Sequence, residues 1–208
     1  MIFRFWCGFR KHFEHNVFKL SNFKNPMSTI FKKLGKEFFS RDAEIVAKEL
    51  LGKILIRKQG NKLLKAKIVE TEAYYGSEDP ASRACQNGDL RETMKKDAGT
   101  ILVYGIHRQW LINFVTGREG KAEAVLLRAL EPLNFKANTK GPGLLTKALK
   151  IDKSFHNQNI VNNESLFIIE PEIKEEIDII ESFRVGVKKD LPNKLRFYIK
   201  GSKYLSRK

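Results

Sequence analysis

Cysteine is scarce in this sequence, because the 208 residues include only Cys7 and Cys85. Two cysteines so far apart form neither a metal-spaced cluster nor a disulfide framework, which suits a reducing, cytoplasmic compartment. Long apolar runs are also missing, since no stretch approaches the roughly 18 uninterrupted apolar residues of a transmembrane helix. These absences exclude a disulfide-stapled domain, a cysteine-rich zinc module and a membrane-spanning helix.

Acidic residues are few relative to basic ones. The chain has 39 Lys and Arg against 24 Asp and Glu, a formal net charge of +15. Such an excess attracts polyanions, so nucleic acid is the first partner to consider. The alternative is a host whose proteins are lysine-rich throughout, because net charge bears on partners and not on fold.

The length and composition fit one folded domain. With 42% hydrophobic and 30% charged residues, the chain can bury a single core, and no internal linker divides it. The N-terminal apolar runs are short and are broken by Arg4, Arg10 and Lys11, so they match neither a signal peptide nor a membrane span. We predict a disordered basic extension over 1–26, or a start assigned too far upstream of Met27, followed by the folded domain over 27–208.

Hydrophobic spacing predicts an α+β fold built on an antiparallel sheet. Helical spacing over 43–51, after a cap at Ser40, predicts a first helix, and a second is predicted over 144–150. Residues 77–99 show no clean period and are predicted to form a loop with one helical piece near 90–95. Apolar runs bounded by turn residues predict strands at 53–57, 63–74, 100–104, 110–116, 124–130, 166–170, 177–187 and 194–200.

The stretch 67–79 carries the most informative polar residues. Because side chains alternate along a strand, Glu70, Glu72 and Tyr74 are expected to share one face with Ile68. Two carboxylates and an aromatic ring where an apolar strand enters a loop are costly for a core and useful for a functional site. The alternative is an edge strand whose acidic face is solvated.

Arg128 interrupts the apolar run 124–130. A guanidinium cannot stay buried without a partner, because its desolvation is too costly. We therefore expect a carboxylate partner, either Glu70 or Glu72 on a neighbouring strand. The alternative is that Arg128 faces solvent from an edge strand.

Eight short segments occur in a fixed order between about residues 34 and 205. They are Glu37-Phe38-Phe39, Leu50-Leu51-Gly52-Lys53, Ile68-Val69-Glu70-Thr71-Glu72-Ala73-Tyr74, Gly99-Thr100, Val125-Leu126-Leu127-Arg128-Ala129-Leu130-Glu131-Pro132, Gly141-Pro142-Gly143, Arg184-Val185-Gly186-Val187 and Leu195-Arg196-Phe197-Tyr198-Ile199-Lys200-Gly201. Together they resemble the alkyladenine (3-methyladenine) DNA glycosylase family, monofunctional purine glycosylases without a helix-hairpin-helix fold. One such motif would be weak, but eight in order are specific.

The resemblance implies a fold, a partner and a reaction. It implies a single domain with a curved antiparallel sheet, flanking helices and a protruding β-hairpin, acting as a monomer on double-stranded DNA with damaged purines, without metal or organic cofactor. The water-activating carboxylate corresponds to Glu72, the arginine that orients the water to Arg128, and a supporting main-chain carbonyl to Val185. No amine corresponds to a nucleophile, so strand-cleaving lyase activity is not expected.

The resemblance also implies residues that hold a flipped base. The stacking residues correspond to Tyr74 and Tyr104, whose faces favour a cationic alkylated purine. Asn113 corresponds to an amide that helps exclude the guanine amino group. Arg83 stands where the family usually has histidine, and its permanent charge allows repulsion of cationic methylpurines.

The segment that would enter the duplex is one residue shorter than the family pattern. If Tyr104 is a stacking residue, then Ile106 or His107 is the wedge, and aliphatic wedges occur in other DNA-kinking proteins. The alternative alignment makes Tyr104-Gly105 the wedge and removes the stacking residue. We favour the first alignment because the spacing from Gly99 to Tyr104 then fits.

Lys140, Gly141 and Gly143 lie just before or at the start of the predicted second helix. Free N–H groups at a helix start, beside a lysine, can hold a DNA phosphate. The segment is equally consistent with an ordinary helix start.

The predicted function is base-excision repair by hydrolysis of the N-glycosidic bond of alkylated or deaminated purines. The candidate lesions are 3-methyladenine, 7-methylguanine, hypoxanthine and ethenoadenine. One alternative is a family member that binds lesions with weak or no catalysis. Others are a helix-hairpin-helix glycosylase, which residues 140–148 resemble but the strand-rich 53–130 region opposes, and a generic RNA-binding module.

Overall fold

The computed structural model describes residues 32–86, 88–173 and 175–207. It confirms the α+β fold, a single domain with a curled antiparallel sheet of eight strands and a few short helices. The basic extension predicted over 1–26 lies outside the described residues. In the described part, no helix has the length and apolar character needed to cross a membrane.

The elements follow one another along the chain with short connections. The strands are β1 (Ile54–Gln59), β2 (Lys62–Tyr74), β3 (Ile101–Ile106), β4 (Gln109–Val115), β5 (Ala124–Pro132), β6 (Leu166–Ile169), β7 (Ile179–Ser182) and β8 (Arg196–Ile199). The helices are α1 (Lys36–Phe39), α2 (Ala43–Leu50), α3 (Arg83–Gln86), α4 (Gly88–Met94) and α5 (Pro142–Ala148), with a 3-10 turn at Lys153–Phe155. The strand order is β3-β4-β5-β2-β1-β6, while β8 pairs with both β2 and β7.

Helix α2 forms because its apolar side chains fall on one face. Its buried residues are Ala43, Val46, Ala47 and Leu50. The N-cap is Asp42, whose carboxylate accepts a hydrogen bond from the N–H of Glu44 at 2.9 Å. The prediction of a Ser40 cap is wrong, because Ser40 instead ends α1 and its hydroxyl donates to a carbonyl of that helix.

Strand β2 is the centre of the sheet. Along one edge it pairs first with β1, in a hairpin, and then with β8, while its other edge pairs with β5. Glu70 and Glu72 are fully buried in this strand. The alternative of an edge strand with a solvated acidic face is therefore wrong.

The pairing of β2 with β5 contains a double irregularity. Ile68 lies opposite Leu130, Glu70 opposite Ala129, and Thr71 opposite Leu127. Each strand thus holds one extra residue, Val69 in β2 and Arg128 in β5. Ile68 and Ala73 consequently pack in the same core cluster although they are five positions apart. The prediction that Ile68 shares a face with the two carboxylates is wrong, because the bulge reverses the faces of β2.

Two segments differ from the pattern-based prediction. Residues 77–99 contain two helices, α3 and α4, where one helical piece was expected near 90–95. Helix α3 starts where the Ser82 hydroxyl accepts from the N–H of Ala84 at 3.2 Å, a local cap that a periodicity search does not detect. The strand predicted over 177–187 is limited to β7, and the residues after it run irregularly toward the β2–β5 pair.

The β3–β4 hairpin has an exposed tip, residues 107–110. Strand β3 continues through Gly105 to Ile106, so the predicted strand end at residue 104 is wrong. His107 and Arg108 form the two-residue turn with φ of 49° and 62°. Such left-handed pairs match the right-handed twist of the flanking strands.

Helix α5 packs against this hairpin next to its tip, at the start of β4. The Thr146 hydroxyl donates to the carbonyl of Trp110 at 2.7 Å. A Cβ at Gly143 would lie 1.8 Å from Gln109 Oε1, so the glycine permits a close approach of helix and hairpin.

Candidate active site

Arg128 lies between the two carboxylates of β2. Its Nε is 3.1 Å from Glu70 Oε1, and its Nη1 is 3.1 Å from Glu72 Oε2. The arginine side chain is 8% exposed and both glutamates are fully buried. The predicted pairing is confirmed with both candidates, and the alternative of a solvent-facing arginine is wrong. Because Arg128 is the extra residue of β5, the bulge aims its side chain at both carboxylates.

Both carboxylate oxygens of Glu72 accept hydrogen bonds. Oε1 accepts from the N–H of Val185 at 2.8 Å, and Oε2 accepts from the Tyr74 hydroxyl at 2.8 Å as well as from Arg128. Burial raises the pKa of Glu72 above its ordinary value, and Arg128, the Val185 N–H and the Tyr74 hydroxyl oppose that rise. Glu72 is therefore more basic than an exposed glutamate and is held in one orientation.

Glu70 fixes Arg128 from the other side. Its Oε1 accepts from Arg196 Nε at 2.7 Å and from the Ser206 hydroxyl at 2.7 Å, and its Oε2 accepts from the Ser206 N–H at 2.6 Å. Two glutamates and two arginines thus compensate one another inside the sheet. Sequence reasoning missed Arg196 and Ser206 as site residues, because they lie 126 and 136 positions from Glu70 and no local pattern connects them.

A cavity of about 560 Å³ opens beside this cluster. Its lining includes six of the residues predicted for the site, Tyr74, Arg83, Tyr104, Ile106, Arg128 and Val185. Glu72 lies directly beneath the lining, because it is hydrogen-bonded to three of these residues. Asn113 is buried in β4, where its amide donates to the carbonyl of Leu102 at 3.2 Å and hydrogen bonds with Tyr104.

A larger cavity of about 780 Å³ lies elsewhere, between α2, β1 and residues 169–179. None of the predicted site residues lines it. We place the candidate active site at the smaller cavity, because a basic carboxylate, a buried arginine and two aromatic rings converge there.

A guanidinium lies over each of the two candidate stacking rings. The Arg184 carbon Cζ is 4.5 Å from the Tyr74 ring centre, and the Arg83 Cζ is 5.4 Å from the Tyr104 ring centre. Burial raises the pKa of both tyrosines. Both hydroxyls therefore remain protonated and can donate hydrogen bonds at neutral pH.

A buried ion pair fastens the Val185 segment to the end of β2. Arg184 Nη1 and Nη2 each lie 2.7 Å from a carboxylate oxygen of Asp79, and both side chains are fully buried. Arg184 also donates to the carbonyl of Ala73 at 3.0 Å. The pair thereby positions Val185, whose N–H binds Glu72. Sequence reasoning missed this pair as well, since its members are 105 positions apart.

The remaining predicted residues lie outside the cavity. His107 is exposed at the hairpin tip. Lys140 is exposed just before α5, Gly141 is its N-cap, and Gly143 is buried in its first turn. None of the four lines the cavity.

A sequence profile of the family described as "Methylpurine-DNA glycosylase (MPG)" matches residues 37–203. The chain belongs to this family. It is 41% identical over 180 residues to a protein named "Putative 3-methyladenine DNA glycosylase" from Aeropyrum pernix, with 84% of this chain and 93% of that protein covered. Proteins of the same name from Legionella pneumophila (strain Corby) and Clostridium beijerinckii are 41% and 40% identical, with 85% and 84% of this chain and 99% of each relative covered.

As a methylpurine-DNA glycosylase family member, the chain is a DNA glycosylase, a hydrolase of DNA repair. The resemblance inferred from the eight segments is confirmed. The helix-hairpin-helix hypothesis is wrong, because an eight-stranded sheet forms the domain, and the RNA-binding hypothesis is wrong because of the family. The matched range of this glycosylase ends at Lys203, so Ser206 lies beyond it.

Proposed function

We propose that this glycosylase removes alkylated or deaminated purines from double-stranded DNA and acts as a monomer, with Glu72 as the base that activates a water. The candidate substrates are 3-methyladenine, 7-methylguanine, hypoxanthine and ethenoadenine. The proposal is carried by the buried Glu72 carboxylate, which Arg128 and Val185 hold beneath a cavity lined by tyrosines. The reaction draws on side chains, a main-chain carbonyl and water alone.

The hydrolytic step follows from this geometry. The water is held by the Arg128 guanidinium and by the Val185 carbonyl, whose oxygen lies 3.5 Å from Arg128 Nη1. Glu72 accepts a proton from the water as the water oxygen bonds to C1′ of the deoxyribose. The bond from C1′ to the purine nitrogen breaks, and its electron pair leaves with the base. The raised pKa of Glu72 improves proton transfer from water at neutral pH.

The flipped base is held by stacking between Tyr74 and Tyr104. Both rings line the cavity, and the Tyr74 hydroxyl is fixed by its hydrogen bond to Glu72. Asn113, which hydrogen bonds with Tyr104, disfavours guanine through the guanine amino group. This arrangement supports a pocket that selects purines by shape and by their edge groups.

Extraction of the base requires a wedge and contacts with the DNA backbone. The hairpin tip supplies the wedge, through Ile106 at the cavity edge or His107 at the exposed turn. Lys188 and Lys189 line the cavity mouth and favour an approaching phosphate chain. Lys140 and the two glycines that start α5 make weaker phosphate contacts.

The first test is product release by the full chain. We expect free 3-methyladenine to be released from alkylated double-stranded DNA with no strand cleavage, measured by chromatography of the released bases and by denaturing gel. A gel-shift and an excision assay on one hypoxanthine duplex separate catalysis from recognition. Tight binding without any released base, on either DNA, would favour the lesion-binding alternative and contradict the proposal.

Replacing Arg83 with glutamine should change the choice of lesion. The guanidinium lies in the cavity lining near Tyr104 and is always protonated, so it repels a cationic methylpurine more than a neutral base. We expect the ratio of excision rates for 7-methylguanine over hypoxanthine to rise about tenfold in the variant, since a loss of ~1.4 kcal/mol of repulsion is one factor of ten. Single-turnover excision of both lesions measures the ratio.

Arg118→Gln is the matched control for this change. Arg118 is exposed in the turn after β4 and does not line the cavity, so the ratio should stay at its original value. An unchanged ratio in Arg83→Gln would show that the Arg83 charge is not felt by the bound base.

A further inference from the structure

We infer that Ser206 is a positioning residue for the excision reaction, which fixes the Arg128 guanidinium through its hydroxyl. The inference rests on the proposed role of Arg128 in holding the water. Ser206 is half-buried in the segment after β8, and it lies beyond residues 37–203, the range that the family profile matches.

The hydroxyl of Ser206 has partners for both its donor and its acceptor capacity. It donates to Glu70 Oε1 at 2.7 Å. It accepts from Arg128, with Oγ 3.2 Å from Nη2 and 3.3 Å from Nε. A serine hydroxyl has one proton and two lone pairs, so these contacts are mutually compatible. The serine therefore bridges the arginine and the glutamate that balances its charge.

The three nitrogen atoms of the Arg128 guanidinium make their contacts on two different sides. Nη1 faces the reaction side, toward Glu72 at 3.1 Å and the carbonyl of Val185 at 3.5 Å. Nη2 and Nε face away from it, toward Ser206 and Glu70. Because the guanidinium is planar and rigid, a hold on Nη2 sets the direction of Nη1. The rear contacts thus determine where the water-holding edge points.

The C-terminal segment is itself tied to the site, which makes Ser206 a fixed anchor. Arg196 donates to the carbonyl of Arg207 at 2.6 Å and to Glu70 at 2.7 Å. The Ser206 N–H donates to Glu70 Oε2 at 2.6 Å. Removal of the hydroxyl alone leaves these main-chain contacts intact, so its contribution can be measured separately from that of the segment.

The test compares Ser206→Ala with Ser206→Thr in the full chain, using single-turnover excision from a hypoxanthine duplex. We expect the alanine variant to react about tenfold more slowly than the original chain. This loss is smaller than the about 10²-fold that a 1 Å misplacement of a catalytic group can cost. The threonine variant keeps a hydroxyl and should recover most of the rate. DNA affinity in a gel shift should be unchanged. Ser202→Ala is the matched control, because the Ser202 hydroxyl only accepts from the N–H of Tyr204 at 3.3 Å.

The pH profile distinguishes a positioning role from a purely structural one. A less constrained Arg128 stabilises the Glu72 carboxylate less, so the pKa of Glu72 should rise. The acid limb of the pH–rate profile, where the rate falls as Glu72 becomes protonated, should therefore move to higher pH in the alanine variant. An alanine variant with the original rate and limb, a slow threonine variant, or a loss of rate explained by a lower melting temperature would overturn the inference. Failure of the original chain to release any base would instead contradict the proposed function.

Discussion

Replacing Glu72 with glutamine should lower the single-turnover excision rate by about 10²–10⁴-fold, the range that general-base catalysis contributes. The amide cannot accept a proton from the water, yet it has nearly the shape of the carboxylate. Its oxygen can still accept from the N–H of Val185, and Arg128 keeps its ion pair with Glu70. We therefore expect the affinity for a hypoxanthine duplex, measured by gel shift, to change little.

The acid limb of the pH profile provides an independent check on the same residue. Glu72 accepts a proton only when ionised, so the rate should fall as the pH decreases through the pKa of Glu72. Because burial raises that pKa, the limb should lie above the ordinary glutamate value of 4.5. The residual activity of Glu72→Gln should lack this limb.

Glu164→Gln is the control for the loss of a carboxylate. Glu164 is exposed before β6, at the far edge of the sheet, so excision should continue at the original rate. Normal excision by Glu72→Gln would show that another group is the base. A glutamine variant that no longer binds the duplex would show that Glu72 acts in recognition.

Replacing Asp79 with asparagine should lower the free energy of unfolding by about 3 kcal/mol, the lower end of the range for a broken buried ion pair, because the Arg184 guanidinium then keeps only Asp190 as a carboxylate partner. The asparagine amide also places its NH₂ group, a hydrogen-bond donor, against one of the two guanidinium nitrogens that now donate to Asp79. Urea unfolding followed by circular dichroism measures the loss. We expect the rate of excision to fall too, because the same ion pair positions Val185.

A triple variant and a surface control make this prediction specific. Adding Arg184→Met and Asp190→Asn to Asp79→Asn should restore part of the lost stability, because the buried guanidinium is then removed together with both of its carboxylate partners. Asp178→Asn breaks an exposed ion pair with Lys200, whose side chains are 75% and 65% exposed, and should cost no more than about 0.5 kcal/mol. Equal losses for Asp79→Asn and Asp178→Asn would contradict a structural role for the buried pair.

Local sequence patterns are sufficient to predict the regular parts of this fold. The α2 helix, the β1–β2 hairpin and the strands β3, β4 and β5 lie close to their predicted positions, because each depends on periodicity within a few residues. Helix α3 is missed because it is short and begins at the local Ser82 cap rather than on an apolar stripe, whereas α4 corresponds to the helical piece expected near residues 90–95. Strand β7 is predicted too long, since its β-branched sequence continues past the point where pairing with β8 ends.

The part of the candidate site that the sequence predicts is the part where one residue requires a particular kind of partner. A buried Arg128 requires a carboxylate, and the sequence offered Glu70 and Glu72, both of which it contacts. The choice between them could not be made, because a strand pattern does not show the bulge that presents both. Asp79 with Arg184, and Ser206 with Glu70, depend on contacts between distant parts of the chain, which spacing alone does not encode.

The extra residues Val69 and Arg128 make the β2–β5 ribbon sensitive to its length as well as to its side chains. Deletion of Val69 alone would move every later side chain of β2 to the opposite face of the sheet. Glu70 and Glu72 would then point toward α2, and Thr71 and Ala73 would point away from it. A matching loss in β5 would restore the ladder but would delete the arginine itself. A single-codon deletion in either strand should therefore damage this ribbon more than the exchange of one of its apolar side chains for another of similar size.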